Sequence, residues 1–109
     1  MTEDQIKTFR EEFASIVFWF GEVKSQAGVI SRLESWNKGG SHDKAIIKAI
    51  DTLNSCRKKL REKLKGKSYA EWRDFSKNLT ALNGKLKRSV NDATRQKWQK
   101  EIDNATFVL

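Results

Sequence analysis

Residues 57–67 read Arg57-Lys58-Lys59-Leu60-Arg61-Glu62-Lys63-Leu64-Lys65-Gly66-Lys67, seven cations with a single carboxylate. Cations at that density neutralise phosphates and release the counterions condensed on them. The chemistry on offer is capture of a polyanion, strong at low salt and falling steeply as salt rises. A blander reading is a solvated helix end, because positive charge near a helix C-terminus is favoured by the dipole. Seven like charges in so short a stretch, however, repel one another beyond what such an end requires. An acidic protein surface would answer the same field.

Other chemistry has little to work with. Ser41, His42 and Asp43 are adjacent, but a catalytic triad needs a spatial arrangement that adjacency does not provide. His42 is the single histidine and Cys56 the single cysteine. No intramolecular disulfide can form, and the two alone cannot make a four-ligand zinc site. Cys56 falls on an apolar stripe, where a thiol is usually inert. Gly39-Gly40 lacks the spacing of a phosphate-cradling loop. The expectation is a non-catalytic protein with no metal, no cofactor and no small-molecule substrate.

The charge is uneven along the chain. Residues 1–56 hold seven basic and eight acidic side chains, while residues 57–109 hold fifteen basic and six acidic. An imbalance of that kind points to an anionic partner. The 109 residues suit one domain, and six Phe, four Trp and one Tyr can build a small core in spite of a 33% charged content. Residues 1–109 are therefore read as a single helical-bundle domain.

The elements that must carry these residues are helices. Proline is absent, and the apolar positions repeat with helical period. Thr2 and Gln5 have capping-box spacing, and Ile6, Phe9, Phe13, Ile16, Phe20 and Val23 form one stripe supported by Val17. That spacing predicts a first helix to about Ala27, with a further turn or two through Val29, Ile30, Leu33 and Trp36 before a loop at residues 37–40. Ser41 or Asp43 can cap a second helix with a stripe of Ile46, Ala49, Ile50, Leu53, Cys56, Leu60 and Leu64, ending near Gly66. Ser68 and Glu71 form a capping box for a third, whose stripe runs Trp72, Phe75, Leu79, Leu82, Leu86 and Val90. Asn91 or Asp92 caps a short fourth helix carrying Trp98 and Ile102. The fold class expected is all-α, an antiparallel bundle of three long helices plus one short C-terminal helix.

On the second helix, Lys58, Arg61 and Lys65 leave one flank and Lys59 and Lys63 the other, while Arg57 sits at the edge of the apolar stripe. On the third, Arg73, Lys77 and Arg88 share an outward face with Ala81 and Gly84, small residues that would let a phosphate backbone approach. Lys85 and Lys87 widen that patch. Residues 62–75 do not fit a helix-turn-helix, since Glu62 occupies a position that should be small and buried. Base-specific reading is therefore not expected.

Among the aromatics, Trp72 and Trp98 fall on stripes and read as core. Trp19 lies at a stripe edge. Phe18 projects from the polar side, either covered by the tail Phe107-Val108-Leu109 or marking a contact surface. Trp36, at a loop edge, either anchors a protein interface or plugs the end of the bundle. The basic run has only Tyr69 and Trp72 near it in sequence, which gives little support to base stacking.

Three functional readings follow. The first is sequence-independent phosphate binding to nucleic acid or a nucleoprotein complex. The second is an inhibitor or adaptor docking on an acidic or nucleic-acid-binding surface of a target protein, with Phe18, Trp19 and Trp36 as interface candidates. The third, ranked last, is an anionic membrane surface. The longest apolar run, residues 13–21, is too short to span a bilayer, which needs about 20 residues. The start of the chain is acidic and carries no leader pattern, so a cytoplasmic location is expected. The heptad spacing is also compatible with self-association.

Overall fold

The structure, a computed structural model, describes residues 1–108. It is all-α, as the periodicity predicts. The four helices are α1 (Glu3–Trp36), α2 (Asp43–Leu64), α3 (Tyr69–Arg88) and α4 (Asp92–Asn104). No strand occurs among the described residues. The residues gather into two compact units: residues 1–13 with 67–108, and residues 14–66.

The first unit is organised around aromatic rings. Trp72 and Phe9 are fully buried. Their rings stack with centroids 5.4 Å apart, and Phe75 meets Phe9 edge-on at 5.1 Å. Phe107 closes the cluster, lying 4.7 Å from Trp72 and 4.8 Å from Phe75. Each such pair adds about 0.5–1.5 kcal/mol beyond its buried area. The apolar tail thus folds back through Phe107, while Val108 is exposed and Leu109 lies outside the described residues.

The helix ends in this unit follow their sequence signals. Thr2 Oγ1 accepts from the Gln5 amide at 3.2 Å, and Gln5 Oε1 accepts from the Thr2 amide at 2.8 Å. Ser68 and Glu71 make the reciprocal box at 3.1 and 2.8 Å. Asn91 caps α4 through the Thr94 amide at 2.8 Å. The Met1 ammonium donates to the carbonyls of Ile102, Asp103 and Ala105 at 2.9, 2.6 and 3.0 Å. A cation there answers both the free carbonyls and the negative end of the α4 dipole.

The second unit buries Ile16 from α1 with Ala49, Leu53 and Cys56 from α2. Two boundaries differ from expectation. α1 continues without interruption past Ala27 to Trp36, because the apolar positions at Val29, Ile30 and Leu33 keep the period and Gly28 stays helical. The N-cap of α2 is His42, not Ser41 or Asp43. Asn37 organises that turn: its Oδ1 accepts from the His42 amide at 2.8 Å and its Nδ2 donates to Asp43 Oδ1 at 2.9 Å. Gly39 and Gly40, at φ 63° and 80°, supply the left-handed backbone that the reversal requires.

Three stripe positions are less buried than their spacing suggests. Val17 and Ile50 are 43% and 40% exposed, each at the edge of its arc, and Val90 is 95% exposed. Val90 lies outside the helical period because α3 stops at Arg88 and Ser89 is its extended C-cap.

Candidate nucleic-acid interface

Grouping residues by unit redistributes the charge. The first unit has eleven basic and nine acidic side chains, because Glu3, Asp4, Glu11 and Glu12 of α1 belong with the basic residues of α3 and α4. The second unit has eleven basic and five acidic. Most of the net positive charge therefore sits in residues 14–66, and within them at the C-terminal end of α2. The contrast between sequence halves pools the end of α2 with residues of the other unit.

α2 reaches that end because Leu60 and Leu64 keep its apolar stripe in register through the basic run. Arg57, Lys58, Lys59 and Arg61 are exposed, and none of the four pairs with a carboxylate among the described residues. Lys63 is half-buried. Lys65 is the C-cap, left-handed at φ 52°, followed by Gly66 at φ 79°. These six cations share the second unit.

Lys67 and the α3 cations lie in the first unit. Lys67 Nζ sits 5.0 Å from the Phe107 ring centroid, a cation–π contact. Arg73 Nε pairs with the neighbouring Asp74 Oδ1 at 3.2 Å. Lys77 and Lys87 are exposed. Lys85 Nζ lies 4.5 Å over the Trp98 ring, with Lys97 at 4.9 Å from the same ring. Arg88 folds back so that its guanidinium lies 3.2 Å from where a Cβ on Gly84 would stand, which covers the small-residue gap expected to admit a phosphate. Trp98 is half-buried under its two ammoniums, less enclosed than its stripe position implies, whereas Trp72 is core as expected.

The aromatic candidates are accessible. Phe18 is 56% and Trp36 58% exposed. Phe18 meets Trp19 edge-on at 5.0 Å, while Phe107 of the tail is committed to Phe9, Trp72 and Phe75. Trp36 does not plug a bundle end. Sequence reasoning missed two features of α2. Ile47, 61% exposed, extends an apolar edge with Ile50 toward Arg57 and Arg61. A groove also brings Trp19 beside Lys58 and Lys59. The second was detectable in principle, because Trp19 and Lys59 stand about equally far from the 37–42 turn.

Ser41 Oγ and His42 Nδ1 are 2.9 Å apart, but Asp43 binds Asn37 through Oδ1, so the three do not form a relay in chain order. A cavity of about 270 Å3 in the first unit is lined by Ile6, Arg10, Leu79, Asn83, Leu86 and Gln99, with a single cation. No cluster of His, Cys, Asp or Glu suited to a metal occurs among the described residues, and no described helix is long and apolar enough to cross a membrane. Comparison with protein-family models, with characterised proteins and with solved structures gives no match.

Proposed function

We propose that this chain is a non-catalytic binding module that engages nucleic acid, or a nucleoprotein complex, through phosphate contacts made at the C-terminal end of α2. The observation that carries the reading is the set Arg57, Lys58, Lys59 and Arg61, exposed together and lacking carboxylate partners among the described residues. Like charges held close on one helix end repel, and Glu62 is the single carboxylate within the run. An external polyanion lowers that repulsion and gains entropy by releasing counterions. Phosphate contacts of this kind position a protein without reading sequence. A mobility shift with short duplex and single-stranded probes at low salt tests it. Retardation largely independent of sequence is expected, and no retardation of either probe would overturn the reading.

A second reading is favoured by the exposure of Phe18 and Trp36: docking on an acidic surface of a target protein, with an aromatic anchor in the contact. The two readings separate by variant. Trp36→Ala should leave nucleic-acid affinity unchanged under the first. Under the second it should weaken a copurifying protein complex by tenfold or more, in line with about 2 kcal/mol for a hot spot. A complex weakened by Trp36→Ala in a chain that retards no probe would favour the protein partner.

A further inference from the structure

The groove beside the basic run sets an indole next to lysines and hydroxyls. It is an open groove of about 340 Å3 lined by Trp19, Thr52, Ser55, Lys58, Lys59 and Glu62, with the buried Cys56 beneath. Trp19 forms a wall. It is half-buried, and Phe18 braces it edge-on at 5.0 Å with an interplanar angle of 79°. Thr52 and Ser55 spend their hydroxyl hydrogens inside the helix, on the Lys48 and Asp51 carbonyls at 3.0 and 3.1 Å. Their oxygens are left as acceptors, and the Glu62 carboxylate is another. Lys58 and Lys59 contribute positive charge and N–H donors at the rim.

An occupant that satisfies this lining needs a flat face for the indole, N–H groups for the acceptors and a negative group for the two ammoniums. A nucleotide carries all three: the base, its amino groups and the phosphate. In a duplex the faces of the bases are already stacked on one another, so the base must come from a single strand. An acidic peptide would satisfy the lysines and, through its backbone N–H groups, the acceptors, but it lacks the flat ring that the indole would stack. Resting on the phosphate-binding reading above, we infer that the second unit prefers single-stranded nucleic acid, with one base stacked on Trp19 and the adjoining phosphate held by Lys58 and Lys59.

The test is fluorescence anisotropy of a labelled oligonucleotide of about a dozen nucleotides, single-stranded or annealed, against the full-length protein. Trp19→Ala should weaken single-strand binding about 5- to 150-fold, with duplex binding and the salt slope unchanged. Trp19→Phe should keep most of the affinity and Trp19→Leu should lose it, because leucine fills apolar volume without offering a stacking face. A Phe/Leu contrast confined to the single-stranded probe does not arise if Trp19 only supports the fold, and it decides the matter should the alanine variant unfold. Equal losses on both probes, equal behaviour of the Phe and Leu variants, or wild-type affinity in all of them would overturn the inference while leaving phosphate binding intact. If the wild-type chain binds neither probe, the broader reading fails instead.

Discussion

Replacing Arg57, Lys58, Lys59 and Arg61 together with glutamine is expected to lower nucleic-acid affinity roughly a hundred- to ten-thousandfold at about 50 mM salt. Each neutralised phosphate contributes about 0.7–0.9 to the salt slope, close to a factor of ten in affinity at that salt, and two to four of the four cations would be engaged. The fold should tolerate the change. All four side chains are exposed, none holds a carboxylate, and α2 keeps its buried positions Ala49, Leu53 and Cys56. Thermal melting of the variant should stay close to that of the wild type, and easing of the mutual repulsion would move it upward if at all. Binding by the quadruple variant within about threefold of wild type would show that the attraction comes from cations elsewhere in the chain.

The largest expected effect on stability is at Trp72. Its ring is fully buried, stacked on Phe9 and capped by Phe107. Trp72→Ala removes the largest of the fully buried side chains and leaves a cavity walled by rings that cannot all collapse into it. The cost should be about 3–5 kcal/mol, a large part of the 5–15 kcal/mol typical of a folded domain. The melting temperature should fall by roughly 15 °C or more, read by circular dichroism. Trp72→Phe should lose much less, since it keeps a ring against Phe9. A loss below about 1 kcal/mol for the alanine variant would mean that the aromatic cluster does not organise the first unit.

Much of the local structure was legible because it depends on neighbours in sequence. The boxes at Thr2/Gln5 and Ser68/Glu71 and the cap at Asn91 each need only residues three apart, and all three form. The α2 cap was misread because the competing partner, Asn37, lies on the far side of the turn and takes both the His42 amide and the Asp43 carboxylate. Trp36, at the end of α1, is exposed, and its position at a loop edge could not decide between anchor and plug because exposure depends on what packs there.

At the candidate site, the composition of the run 57–67 was plain, but its electrostatic setting was not. Which carboxylates share a unit with which cations is a long-range fact, and it shifts weight from the α3 patch to the end of α2. The placing of Trp19 with Lys58 and Lys59 around one groove is likewise a long-range fact. Nothing in the run itself announces an aromatic partner.

The most direct measurement is the slope of log K against log salt for the wild-type chain on a single-stranded probe, repeated with each of Arg57, Lys58, Lys59 and Arg61 changed to glutamine. Two to four engaged cations give a slope between about −1.4 and −2.8, and each effective substitution should reduce its size by about 0.7. A slope near zero, or one that no substitution at the end of α2 alters, would contradict phosphate binding there.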